Sequence, residues 1–139
     1  MNLSIESFNY DKDLFKLATE LRFKIFVDEF AGDKFSEFDS NDLTAIHYLL
    51  YFNSICVGVA RVSVDVHKFC IDRFGVLNKY RSRGFGTVFI RFIINDLTHA
   101  SKKIYLQTNT KSIKFFENNN FKFSENINSN LTELVFDKK

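Results

Sequence analysis

A chain of 139 residues with 19 basic and 17 acidic side chains, a formal charge of +2, lacks the basic surplus that marks a dedicated nucleic-acid binder. Its 45% apolar and 26% charged residues fit one soluble domain over residues 1–139, and no apolar run approaches the ~20 residues that cross a bilayer. The early acid and missing basic start of MNLSIESFNYDKD argue against a secretory leader, and Cys56 and Cys70, both inside apolar runs, read as buried thiols of a cytoplasmic protein without disulfide or metal.

Over residues 11–26, Leu14, Leu17, Ala18, Leu21, Ile25 and Phe26 recur at spacings of three and four and predict an amphipathic helix capped by Asp11 or Asp13. The polar stretch AGDKFSEFDSNDLT reads as a loop or short helical turns. AIHYLLYF (45–52) and ICVGVARVSV (55–64) are strand-like, and the Asn53-Ser54 break between them predicts a tight hairpin. HKFCIDRFGVL (67–77) reads as a third strand. From residue 87 to 99, Val88, Phe89, Phe92, Ile93 and Leu97 share one face of a predicted second helix. KIYLQTN (103–109) predicts a strand buried on both sides, and TKSIKFFENNN (110–120) a third helix. FKFSE (121–125) and LTELVFD (131–137) predict a closing antiparallel pair. The central strand–helix–strand unit implies a parallel, right-handed crossover. The fold class is therefore α/β: a mixed sheet with helices on its faces.

The stretch VLNKYRSRGFGTVF carries the chemistry. A strand ends near Val76, a basic loop follows, and a helix begins near Gly86 or Thr87. A helix N-terminus presents unpaired N–H groups and partial positive charge. Gly84 and Gly86 remove Cβ atoms that would hold a ligand away from those amides, and Arg81 and Arg83 add charge. Such a loop can bind a pyrophosphate. It is neither G-x-G-x-x-G nor a Walker A motif, and a plain strand-to-helix turn is the competing reading.

R-x-x-G-x-G at Arg81, Gly84 and Gly86, between a strand and an amphipathic helix, resembles motif A of the GCN5-related N-acetyltransferase superfamily. Asn109, Ser112, the aromatic pair Phe115-Phe116, Glu117 and Phe121 keep the spacing of a second family motif, N-x-x-A-x-x-L-Y-E-x-x-G-F. LRFKIFVDEF followed by EFDSNDLTAIHYLLY is similar to the small bacterial branch typified by ElaA and YjcF. The resemblance implies a sheet of about six to seven strands with a splayed parallel pair. It also implies an acetyl-CoA cosubstrate, transfer to a primary amine of a small molecule or peptide, no metal, no nucleic acid or membrane partner, and a capacity to form homodimers. A coenzyme-binding module without catalysis is the alternative.

By the same resemblance, acetyl-CoA would lie along Phe74, Gly75 and Val76, whose main chain would pair with the pantetheine arm. Its pyrophosphate would meet the amides of Ser82, Arg83, Gly84, Phe85, Gly86 and Thr87, with Arg81 and Arg83 beside them. Asn109 would cap the third helix or bond the pantetheine. Phe115 and Phe116 would pack near the thiol. Two departures stand out. Phe116 replaces the Tyr that commonly protonates the leaving thiolate. Asn120 replaces a Gly, and Asn is the second choice for the left-handed residue after a helix. Strand alternation puts Cys70, Asp72, Phe74 and Val76 on one face, making Asp72 a candidate general base; an Asp–Arg structural pair is the other reading. His47 matches the branch's strand-borne His and could accept a proton, or be a satisfied buried His. Glu37 and Asp39 could recognise a cationic amine, or form a solvated acidic loop. A main-chain N–H near Phe74 or Val76 would stabilise the developing oxyanion.

Overall fold

The structure, a computed structural model, describes residues 2–29 and 38–137. Its strands are β1 (Leu3–Phe8), β2 (Ile46–Phe52), β3 (Ile55–Val64), β4 (Lys68–Val76), β5 (Lys103–Thr108), β6 (Phe121–Asn128) and β7 (Leu131–Phe136); its helices are α1 (Lys12–Arg22), α2 (Phe85–Leu97) and α3 (Ile113–Glu117). The strands form one sheet in the order β1-β2-β3-β4-β5-β7-β6. Among the described residues only β4 and β5 run parallel, joined across α2 as the crossover rule requires. This is the expected mixed α/β sheet.

Local chemistry explains most element ends. Asp11 caps α1, its Oδ1 accepting from the amides of Asp13 and Leu14, each at 3.0 Å. The helix gives way at Phe23 to a π-helical segment (Phe23–Glu29), earlier than the apolar spacing suggested, yet Ile25 stays buried against the sheet. Asn53 and Ser54 both have positive φ, 49° and 69°, as a type I′ hairpin turn demands. Asn120 is left-handed (φ 71°), the conformation for which it was a fitting substitute for Gly.

Three expectations are corrected. β1 was not foreseen: it is an edge strand paired antiparallel to β2, with only Leu3, Ile5 and Phe8 half-buried. The helix expected at residues 110–120 is a 3-10 turn (Thr110–Ser112) followed by the five residues of α3. α2 starts at Phe85, and its buried residues are Phe85, Phe89, Ile90, Ile93, Ile94 and Leu97, while Val88 and Phe92 are exposed. The apolar run there is wider than one face, and packing against the sheet selects which part is covered.

Each face of the sheet has its own core. Tyr48, Leu50, Ala60, Val62, Ile71 and Val76 pack under α2, and Leu49 and Val59 pack under Ala18, Leu21 and Ile25 of the α1 side. The face assignment changes within β4. Arg61 of β3 pairs with Asp72, but Val59 pairs with Gly75, so Arg73 and Phe74 together oppose Ala60. This is a β-bulge with Arg73 left-handed at φ 51°, where bulges of this kind usually place Gly. A non-glycine residue held there costs about 1–2 kcal/mol. The bulge overturns the expected alternation. Asp72 points to the α1 side, toward Arg61, while Phe74 points to the α2 side, against Phe89, Phe115 and Phe116.

Candidate active site

The parallel pairing of β4 with β5 runs from Lys68–Lys103 to Ile71–Leu106 and stops. Beyond it, Asp72, Gly75 and Val76 keep their partners on β3, and among the described residues no pairing with β5 continues past Ile71. The strands splay, and their carboxyl ends open into a cleft of about 610 Å³. One wall is Asp72, Arg73, Phe74, Gly75 and Val76. The opposite wall is Gln107, Thr108, Asn109, Ser112, Phe115 and Phe116, and one end is formed by Arg81, Ser82, Gly84, Gly86 and Thr87.

That end is shaped for an anion. Ser82 and Gly84 have φ of 62° and 83°, which turn the loop before the helix. The first helical bond of α2 is Val88 N–H to Gly84 O at 3.2 Å, so the amides of Phe85, Gly86 and Thr87 have no intrahelical acceptor. Gly84 offers no side-chain cap, and a Cβ added to it would meet nothing within 4 Å, so the cradle is open. Gly86 serves packing instead: a Cβ there would lie 3.2 Å from Phe115 Cζ. Arg81 lines the cleft and donates from Nε to Val76 O at 2.8 Å, tying the loop to the end of β4.

Most expected donor-binding residues meet here: Phe74, Gly75, Val76, Arg81, Ser82, Gly84, Gly86, Thr87, Asn109, Phe115 and Phe116 all line the cleft. Two, Arg83 and Phe85, do not line it. The Phe85 ring is buried in the α2 core, leaving only its main chain, and the Arg83 guanidinium sits 5.5 Å over the Tyr80 ring. Gly75 was expected to clear a path for the ligand. A Cβ on it would instead meet Ile25 Cγ2 at 3.0 Å and Phe26 at 3.3 Å, so its smallness serves the α1 side. Asn109 is a cap, its Oδ1 accepting from Ser112 N at 3.2 Å.

The expected catalytic and recognition residues fare differently. Asp72 lines the cleft, but both its oxygens accept from Arg61: Nε to Oδ1 at 2.8 Å and Nη2 to Oδ2 at 2.7 Å. Arg73 Nη1 adds a 3.4 Å contact to Oδ2. Asp72 thus takes the geometry of the Asp–Arg pair. His47 lies fully buried on β2, stacked on Phe8 at 5.2 Å and edge-on to Phe15, and does not line the cleft. Its Nε2 donates to Asp42 O at 2.8 Å, since a carbonyl can only accept, and its buried Nδ1 has no partner. Burial, helped by the nearby arginines, holds the imidazole below its usual pKa, so it is neutral. Asp39 is also outside the cleft lining. It caps the 3-10 turn Ser40–Leu43 in a capping box with Asp42, and accepts from Arg61 Nη1 at 2.6 Å. Glu37 lies outside the described residues.

The sequence reading missed Phe26, Gln107, Thr108, Ser112 and Leu131 as cleft residues. Gln107 and Thr108 were findable, because ligands of open α/β sheets sit outside the carboxyl ends of parallel strands. It also missed the buried ionic cluster beneath β4. There Arg22 Nη1 meets Asp42 Oδ1 at 2.6 Å and Arg61 Nη1 meets the same oxygen at 3.0 Å. Burial works against an ionised Asp42, but Arg22, the Asp39 amide and Arg61 outweigh it and hold the carboxyl below its usual range. Among the described residues no group of three or more His, Cys, Asp or Glu could hold a metal ion, and no helix is long and apolar enough to cross a membrane.

Residues 12–121 match the acetyltransferase (GNAT) family. The chain belongs to this family. A candidate acetyltransferase of Bacillus subtilis (strain 168) is 32% identical over 91 residues, a match spanning 63% of this chain and 61% of that relative's length. Escherichia coli ElaA has the same fold, with a TM-score of 0.87 at 19% identity over 98% of this chain and 100% of that one. So does the PaiA N-acetyltransferase of Thermoplasma acidophilum, solved in complex with coenzyme A (TM-score 0.73, 14% identity, 96% and 99% covered). The GNAT match spans the cleft's loop, both splayed strands and α3, which carry the two motifs seen in the sequence.

Proposed function

We propose that this GNAT protein transfers an acetyl group from acetyl-CoA to a primary amine, by direct attack of the amine on the thioester. The observation that carries the reading is the conjunction of an unpaired β4 edge with an open, unpaired α2 N-terminus across one cleft. An edge strand can accept an extended ligand through main-chain hydrogen bonds, and orphan helix amides favour a pyrophosphate. The amides of Phe85, Gly86 and Thr87 would hold the diphosphate, and the main chain of residues 74–76 the pantetheine arm. Phe74, Phe115 and Phe116 would form the apolar wall about the thiol end. Within 610 Å³ these groups fit such a donor.

The chain's part in the chemistry is then to orient and polarise. A main-chain N–H near Phe74 or Val76 would face the acetyl oxygen and stabilise the charge that develops there. The amine nitrogen forms its bond to the acetyl carbon as the carbon–sulfur bond breaks. His47 does not line the cleft and Asp72 gives both oxygens to Arg61, so the amine's proton leaves to cleft water. Phe116 has no proton to donate, so the thiolate takes one from water.

Two measurements test this. Calorimetric titration with acetyl-CoA should show saturable binding, weakened by salt because the diphosphate end is ionic. Thiol release with a panel of small amines and peptides should then identify an acceptor. Absence of binding refutes the reading, and binding without thiol release from any amine would mark a coenzyme-binding module instead.

A further inference from the structure

The ionic cluster beneath β4 is larger than a stabilising pair requires, and it converges on a strained residue of the β4 wall of the cleft. Arg73 sits at φ 51° in a bulge position that normally selects Gly. Its guanidinium reaches back to Asp72 Oδ2 at 3.4 Å and to Asp39 Oδ2 at 3.7 Å. Asp72 is in turn gripped through both oxygens by the buried Arg61, which also holds Asp39 and Asp42. Asp39 is fixed independently by its capping box with the turn Ser40–Leu43. The strained residue is therefore clamped on either side by carboxylates that are themselves immobilised. Strain of this kind persists only where the surroundings over-determine it, and it gathers at functional sites. What the strain sets is the direction of the chain beyond it. At Arg73 the side-chain alternation reverses, and the main chain of residues 74–76 emerges with its β5 side unpaired.

We propose that Arg61 and Asp39 are positioning residues for the acyl donor: acting through Asp72, they hold Arg73 left-handed and so aim the unpaired main chain of residues 74–76 into the cleft. This rests on the reading of the cleft as the acetyl-CoA site. It gives Asp72 a task other than proton transfer and links the turn before β2 to donor affinity.

The test is a double-mutant cycle in the full chain, read by calorimetric titration with acetyl-CoA. Asp72→Asn keeps the shape but loses the two-oxygen grip, and weakens acetyl-CoA binding about tenfold or more, in line with the cost of misplacing a binding element by about 1 Å. Asp39→Asn acts in the same direction by a smaller factor. In an Arg73→Gly background, where glycine takes the left-handed conformation unaided, Asp72→Asn costs less than about twofold. An equal cost of Asp72→Asn in both backgrounds overturns the proposal, as does unchanged affinity in Asp72→Asn. Amide hydrogen exchange of residues 74–76 without ligand gives the second readout: faster in Asp72→Asn, restored in Asp72→Asn/Arg73→Gly. If the wild-type chain binds no acetyl-CoA but exchange follows this pattern, the donor reading fails and the clamp stands. Exchange unmoved by Asp72→Asn sinks the clamp whatever the binding result.

Discussion

The two faces of the sheet are built on different principles. Under α2, an unbroken apolar layer from Phe69 and Ile71 to Ile90, Ile93 and Leu134 is closed to water. Under α1, a small core of Ala18, Leu21, Ile25, Leu49 and Val59 adjoins buried Arg22, Arg61, Asp42 and His47. Apolar packing is non-directional and tolerant of exchange. Charge networks need every partner and fix geometry. The difference teaches where the molecule keeps its stability and where it keeps its conformational choices: β4 lies between the two layers, and its bulge passes side chains from one to the other.

Truncating each face should separate them most sharply. Phe89→Ala should cost about 3–5 kcal/mol in urea unfolding, through transfer and cavity terms. Asp42→Ala should cost a similar ~3–5 kcal/mol for another reason, leaving two buried guanidinium groups short of an acceptor. The signature that distinguishes them is recovery. Replacing Phe89 by Leu should restore most of the first loss, whereas Asp42→Asn should restore little of the second.

A smaller effect is expected at the cleft loop. Gly84→Ala should destabilise by about 1–2 kcal/mol, since φ 83° is strained for a residue with a Cβ although the space around it is open. Crowding plays no part, so Gly84→Asn, which tolerates this conformation better, should lose less than Gly84→Ala in thermal unfolding. Equal losses would mean that space, not backbone angle, selects the glycine.

The smallest effect concerns pH and belongs to the charged face alone. Burial depresses the His47 pKa below its ordinary 6.5, so between that value and the folded-state pKa the unfolded chain binds more protons. Stability is therefore full above about 6.5 and falls as pH drops below it. Asp42, held below its ordinary 3.8, adds a further loss only in stronger acid. Thermal unfolding between pH 8 and 5 should show the first decline, and His47→Gln, which can still donate to Asp42 O, should flatten it. A flat wild-type profile would contradict the buried, neutral imidazole.

What could be read from sequence follows the same division. The apolar rhythm and turn residues gave α1, the Asn53-Ser54 hairpin and the central crossover, because each depends on short-range pattern, while the left-handed Asn120 followed from the Gly it replaces in the family motif. The loop at one end of the cleft was visible for the same reason, since Arg81, Gly84 and Gly86 lie within six residues, and the family resemblance singled it out from a plain strand-to-helix turn. β1 was hidden because an edge strand with half its side chains in water needs few apolar residues. The bulge was hidden because Arg73 carries no local sign of a left-handed backbone, and the ion pairs around it bring in Asp39 and Arg61, which are distant in the chain. Asp39 and His47 were read as chemistry because their partners, Arg61 and the Asp42 carbonyl, became neighbours only in three dimensions.

The position of β7 has a consequence for how the protein is made. Among the described residues it is the last strand in chain order, yet it lies between β5 and β6 and joins them. While the chain is being synthesised, β5 and β6 therefore wait with exposed, unsatisfied edges until residues 131–136 have emerged. Completion of the sheet, and of the cleft lining to which Leu131 contributes, therefore follows the emergence of residues 131–136, and until then the β5 edge is open to pairing with other chains.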